Sequence, residues 1–406
     1  MITGVQLQSN LRRVVLIGSS SRGGSSITTE YLRQSDDLLH IPAEFNPLLE
    51  QCGLTYPKCE SDRLTAEQCT ESIEERLWEE LAKEVGSYVR GPLSPLDWQC
   101  FSHMIYKRLQ WQWSWLKIDF ALFTKAFVET RLEVQNALSW GDTVQNPDIF
   151  HLLLLRRLRT LYPEIDPRWY DIDSAAIARY FPKLAPLESL PVIFEEPPFV
   201  LVAPWRKPTL QDLSQKPLVI KTPSNAYRLP FFRRFFAAQQ MDVLHLKREP
   251  ASSINGLIDG WRYARGFHAH LIDEAKIEDS VVPAGVWKYD LPPGFDRFFN
   301  SQLIEVCAFQ WSSAHHLLLE EQYLADDTHS VWFEEVVLNN PDVLHSMWRW
   351  LDVNSVESVK PILKLPPVMS TCKPRSRRWF EKKDILDTVL NTPQILNITE
   401  RLHEES

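Results

Sequence analysis

Residues 14–34, VVLIGSSSRGGSSITTEYLRQ, join an apolar β-branched run to a helical stretch through a loop of small residues. A strand that passes straight into a helix belongs to α/β architectures, whose strands are covered by the helices that connect them. The loop has chemical meaning too. Glycines without Cβ expose backbone N–H groups at a helix start, and those groups receive anions. Counted from Gly18, Gly23 falls at the second glycine of the form G-x-x-x-x-G-K-[ST], but Gly24 and Ser25 stand where Lys and Ser/Thr belong. The cation comes before the glycines instead, as Arg22. Ser25, Ser26, Thr28 and Thr29 add hydroxyls. The competing reading is a tight, serine-capped turn with no ligand.

The second α/β zone covers residues 191–266. PLVIKTPS reads as a buried strand, AYRLPFFRRFFAAQ as a helix, MDVLHLKREP as a strand and ASSINGLIDGWRYARG as a helix. That order predicts parallel strands, with ligands beyond their carboxyl ends. Two more cations sit at such ends. Lys221 closes the first strand, where a lone ammonium is costly unless an anion meets it or its stem snorkels outward. Arg248 leaves the second strand just before a Pro-initiated helix, with Ser252 and Ser253 in its first turn. An ion pair with Glu249 or a neighbour, plus N-cap serines, is the rival account. Taken together, Arg22, Lys221 and Arg248 predict one convergent anion pocket.

Between these zones, residues 60–190 carry apolar residues at three- and four-residue spacing, as in ERLWEELAKEV and NPDIFHLLLLRRLRTLYPEI, and read as mostly helical. Trp111, Trp113 and Trp115 alternate, which on a helix spreads them around it; packing is the favoured reading over an aromatic wall for an apolar acceptor. Arg156, Arg157 and Arg159 read as a solvated face. Hydrophobic residues make up 44% of the chain, with 15 Trp and 20 Phe, enough for a sizeable core. The net charge of −9 argues against broad nucleic-acid binding. No apolar run is long enough for a membrane span, and a cytoplasmic location is expected. The six cysteines include no C-x-x-C pair, so free thiols are expected rather than a metal site. The adjacent His315 and His316 point different ways on a helix and form no metal pair.

Arg22-Gly23-Gly24-Ser25-Ser26, after a strand and opening a helix, resembles the 5′-phosphosulfate loop of the sulfotransferase family, whose donor is 3′-phosphoadenosine 5′-phosphosulfate (PAPS). Arg248-Glu249-Pro250 is similar to that family's 3′-phosphate segment, a strand ending in Arg-x-Pro before a helix. CAFQW, VWFEEVVLNNPDVLHSMWRWLDV and RSRRW resemble its later landmarks, a Trp-bearing helix, an acidic segment before an Asn-Pro helix and a basic loop that closes over the nucleotide. The likeness covers residues 12–50 and roughly 215–385. It implies an α/β fold of bacterial type, a parallel β-sheet flanked by helices in the P-loop-like sulfotransferase manner. Residues 1–406 would form a single sulfotransferase domain, with 60–190 as a large helical insertion on the acceptor side and 281–295 as a Pro/Gly-rich lid.

The resemblance also implies roles. Arg22, Gly23, Gly24, Ser25 and Ser26 would hold the 5′-phosphosulfate, and Arg248, Ser253 and the basic-loop residues Arg375 and Arg377 the 3′-phosphate. Lys221 would face the transferring group. PAPS would be the donor and its 3′,5′-bisphosphate (PAP) the product, with no metal, and the partner would be a small-molecule or natural-product hydroxyl acceptor, not nucleic acid or membrane. Two positions depart from the family pattern. Gly256 stands eight residues past Arg248, where a serine is usual, and Pro223 stands where many members have their histidine base. Glu44, after His40-Ile41-Pro42, is the replacement base; His40 and His103 are reserves. A structural Glu44 that caps its loop or pairs with Arg22 is the alternative. A kinase-like phosphate-loop enzyme and an inactive member of the same fold are the rival functions.

Overall fold

The computed structural model describes residues 2–191, 193–264, 266, 269–353, 364–372, 375 and 377–405. The chain divides into two compact units, Met1–Val85 with Thr209–Ser406, and Gly86–Pro208.

In the first unit, β1 (Arg13–Gly18), β2 (Leu39–His40), β3 (Leu218–Lys221), β4 (Gln240–Lys247) and β5 (Asp327–Trp332) form one sheet. Their order is β2-β3-β1-β4-β5, and every pairing is parallel. The predicted α/β class with a parallel sheet flanked by helices is therefore the observed one. Val14, Val15, Leu16 and Ile17 are wholly buried, which is why this strand reads as an unbroken apolar run rather than an alternation. The register places Ile17 opposite Lys221 and Gly18 opposite His245. The ends of β1 and β3 are thus level within one residue, β4 runs on from His245 to Lys247, and the three basic residues lie at the same end of the sheet. Helix α1 (Ser25–Leu32) leaves β1, and α2 (Pro250–Trp261) leaves β4 with Pro250 in its first turn, where the missing N–H costs nothing.

Val15, Ile17, Val219, Leu244, Leu246 and Val331 pack with Tyr31 and Trp348 in one core. A second core joins α2 to α3 (Leu303–Glu321) and α4 (Pro393–Glu404) through Trp261, Trp287, Trp311 and Leu402. Here β4 carries two polar residues inward. His245 Nε2 lies 3.1 Å from His315 Nδ1, Glu405 lies 3.6 Å from His245, and Lys247 donates to the Leu402 carbonyl at 2.8 Å. His316, the next residue, is exposed and faces Glu320, so the adjacent histidines do diverge.

Burial holds His245 below the usual imidazole range and His315 well below it, against the pull of Glu405 on His245 and with the push of Lys247 on both. The unfolded chain therefore binds protons that the folded chain does not once pH falls below about 6.5, and stability declines there by up to about 1.4 kcal/mol per pH unit for each group. Thermal unfolding between pH 5 and 8 is expected to show this fall, and His315→Gln to flatten it. Equal slopes in the two proteins would rule the pair out as its source.

Three expectations about the domain layout change. The helix Glu71–Glu84 and the segment before it belong to the sheet unit, not to an insertion over 60–190. Asp62 ties that segment down, accepting from Arg228 Nη2 at 2.6 Å and from the Leu291 N–H at 2.8 Å. The stretch 281–295 is not a free lid from its middle onward. Trp287 and Leu291 are fully buried, and residues Val286–Lys288 pair with Ala269–Leu271, so opening it would break the core. The single domain becomes two compact units.

The unit Gly86–Pro208 is built on helices Pro95–Gln112, Phe120–Asn136, Pro147–Arg159 and Ser174–Tyr180, with Ser87–Tyr88 paired antiparallel to Trp205–Arg206. Trp98, Phe101, Phe127 and Phe150 form its aromatic centre. Trp113 is buried and donates to the Tyr170 hydroxyl at 3.0 Å, a packing role. Arg156 and Arg157 reach Glu133 on the neighbouring helix. Among the described residues no helix is long and apolar enough to cross a membrane.

Candidate anion site at the carboxyl ends of the strands

The loop after β1 turns back on itself, with the Gly23 N–H donating to the Ser20 carbonyl at 3.0 Å. Arg22 (φ 61°) and Gly24 (φ 96°) both adopt the left-handed region. At Gly24 a Cβ would lie 2.5 Å from the Phe333 ring, so glycine is required there by conformation and by space. Gly24 caps α1 without a side-chain hydrogen bond, which leaves the first-turn N–H groups for an external acceptor.

The loop's serines turn inward. Ser19, Ser20 and Ser21 are buried; Ser20 Oγ lies 3.2 Å from Ser253 Oγ, and Ser21 Oγ donates to the Asp290 carboxylate. Ser253, expected as a phosphate ligand, links loop and helix, its hydroxyl also facing the Ser21 carbonyl at 3.5 Å. Ser25 is buried in the first turn, and its carbonyl accepts from Thr29 Oγ1 at 2.8 Å.

Lys221 is buried at the end of β3, where its ammonium donates to Ser26 Oγ at 2.9 Å and to the Glu44 carboxylate. Glu44 is half-buried, and the next residue is pinned by the Phe45 N–H donating to Thr222 Oγ1 at 2.8 Å. Glu44 thus pairs with Lys221, not with Arg22. His40 is buried in β2, and His103 lies on an exposed face of the other unit, with its ring against the Gln99 carbonyl.

Arg248 leaves β4 with its side chain half-buried. One Nη donates to the Arg22 carbonyl, Nε stands 3.8 Å from Glu334, and the group lies 5.1 Å from the Phe333 ring centre. Its partner is Glu334, not the adjacent Glu249. Nε is buried with no hydrogen-bond partner among the described residues. Burial pushes its pKa down to about 10, opposed by Glu334 and reinforced by Arg22 and Arg378. Guanidinium groups crowded in a site of low polarity are stabilised by an anion. Arg22 meanwhile donates to the Met369 carbonyl at 2.7 Å.

The two departures from the family pattern acquire reasons. A Cβ at Gly256 would lie 3.3 Å from Arg22 Cβ, so a serine there would press on the Arg22 side chain. Pro223 begins a buried 3-10 turn, Pro223–Tyr227, whose Asn225 donates to the carbonyls of Ile17 and Ile220 and laces β1 to β3. The basic tail differs from expectation. Arg375 and Arg377 are exposed, and Arg375 pairs with Glu381. Lys373, Pro374 and Ser376 lie outside the described residues. The cations that fix the tail to α2 are Arg378 and Lys382, both on Asp259. Sequence reasoning missed Glu334, Arg378 and Asp290; for the first two, the family landmarks FEE and RSRR held the signal.

No family model matches the chain, and no curated protein matches it. Among solved structures, the sulfotransferase domain from the curacin biosynthetic pathway is similar with a TM-score of 0.38 and 13% identity, over 97% of this chain and 98% of that one.

Proposed function

We propose that the protein transfers the sulfuryl group of PAPS to a hydroxyl of a small-molecule or natural-product acceptor. The observation that carries this reading is the meeting, at one sheet rim, of an uncapped glycine loop and the half-buried, incompletely bonded guanidinium of Arg248. Those are two separate anion receptors, and PAPS has anionic groups at both ends of its ribose. The Arg-Gly-Gly-Ser-Ser and Arg-x-Pro motifs stand on the same two features. A loop with Gly24 where a phosphate-loop enzyme needs lysine suits a donor whose cation is Arg22.

PAPS supplies an activated sulfonate whose departure leaves a 3′,5′-bisphosphate. In this scheme the first-turn N–H groups of α1, with Arg22 and Ser25, bind the 5′ end, and Arg248 binds the 3′-phosphate. Arg378 adds positive potential beside Arg248, and Arg375 and Arg377 are assigned to the 3′-phosphate with it. Lys221 offsets charge that develops on the transferring oxygens, because a fixed cation in a dry site acts without solvent reorganisation. Glu44 takes the acceptor's proton on a carboxylate oxygen, and its contact with Lys221, itself bonded to Ser26, orients it meanwhile.

Calorimetric titration with PAP and, separately, with ATP plus Mg²⁺ tests the reading. Micromolar binding of PAP with at least tenfold weaker ATP is expected. Preference for Mg·ATP would replace the proposal with a kinase.

A further inference from the structure

One buried acid touches the loop and has no place in the scheme above. Asp290 follows the strand Val286–Lys288 and is 2% exposed. Its backbone is clamped: the Asp290 carbonyl accepts from Trp287 Nε1 and from Gln310 Nε2, each at 2.9 Å, and Gln310 Oε1 in turn accepts from Trp261 Nε1 at 2.9 Å. Its carboxylate accepts from Ser21 Oγ on one oxygen and from the Tyr227 hydroxyl, at 3.2 Å, on the other. Ser21 immediately precedes Arg22. The middle of the anion loop is therefore hung from a fixed point in the second core.

Among the described residues, no cation is in hydrogen-bond contact with Asp290. Asp62 lies nearby but is itself paired with Arg228, and Tyr227 and Tyr289 are held neutral by burial. Burial pushes Asp290 up to about 7, the Ser21 bond opposing and the Asp62 charge adding to the rise. A carboxylate with neutral hydroxyl partners, placed under a loop built for anions, is relieved most cheaply by protonation when an anion arrives.

We propose that Asp290 is a positioning residue for the anion loop, and that filling the loop with the donor draws a proton from solvent onto Asp290. This rests on the donor reading given above and adds its regulation: by reciprocity, protonation of Asp290 strengthens donor binding by the factor with which the donor favours protonation. No other reactant is needed, and the proton returns to solvent when the nucleotide leaves.

PAP binding is measured by calorimetry from pH 6 to 8 in buffers of different ionisation heat. The phosphates of the ligand titrate alike in every variant, so the difference between proteins isolates Asp290. Asp290→Asn keeps an acceptor for Ser21 and loses the charge. Relative to wild type it is expected to take up about half a proton less at pH 7.5, and to bind up to about tenfold more tightly at pH 8 while matching wild type at pH 6, the effect of one pKa unit. Ser21→Ala cuts the suspension itself and is expected to weaken PAP about tenfold at every pH. An affinity ratio between Asp290→Asn and wild type that stays constant with pH, with equal proton uptake, overturns the proposal. If Asp290→Asn does not fold, an unchanged PAP affinity in Ser21→Ala overturns it alone. Wild type that binds no PAP at any pH removes the donor reading and this one together; binding without the Asp290-dependent proton removes only this one.

Discussion

Arg248→Ala is expected to weaken PAP by at least a hundredfold and to leave no measurable turnover. The guanidinium is half-buried, bonded to the Arg22 carbonyl and only loosely to Glu334, with Nε buried and unpartnered among the described residues. A phosphate bound there gains two charge-assisted hydrogen bonds, worth roughly 1.5–3 kcal/mol each, and about 3 kcal/mol already exceeds a hundredfold. Arg248→Lys should recover little, because a single ammonium cannot serve both the Arg22 carbonyl and a phosphate in the fork geometry. Removing the arginine also strands Glu334, whose pKa burial already raises, so the thermal midpoint must be read beside the affinity. Binding within fivefold of wild type in a folded Arg248→Ala would end the assignment of the 3′-phosphate to this residue.

Glu44→Gln separates binding from chemistry. Turnover is measured with whichever compound the wild type sulfates from a panel of phenols, sterols and glycosides. It is expected to fall about 10²–10⁴-fold, the usual contribution of a general base. PAP affinity should stay within about threefold, because the amide still accepts from Lys221 and the phosphate contacts lie elsewhere. Glu44→Asp should fall between, the shorter side chain keeping the charge and losing reach. A Glu44→Gln enzyme with wild-type turnover would leave Glu44 as the structural partner of Lys221 and send the proton to another acceptor.

The strand-loop-helix unit, the parallel sheet and the three rim cations were legible in the chain because each rests on local chemistry. Unbroken apolar runs make buried strands, Pro250 starts a helix, Gly24 permits a backbone that other residues resist, and Gly23 leaves room for the Ser20 carbonyl. The Arg-Gly-Gly-Ser-Ser and Arg-x-Pro resemblances rest on the same short stretches. Where segments join, local chemistry says nothing. That Asp62 locks to Arg228, 166 positions away, decides that residues 60–85 stay with the sheet, and no pattern in those residues carries that information.

The site divides in the same way. The sequence alone determined that cations would follow β1, β3 and β4, since strand ends and helix starts are set within a few residues. Tertiary structure decided what each cation touches: Lys221 to Glu44, Arg248 to Glu334 and the Arg22 carbonyl, and Arg378, not Arg375 or Arg377, to Asp259. It also decided that Gly256 packs against Arg22, and that a loop resembling a lid holds a buried acid beneath Ser21. The physical reason is range. Propensity and capping act over one helical turn, whereas burial and ion pairing are fixed only when distant segments have closed on one another and excluded water.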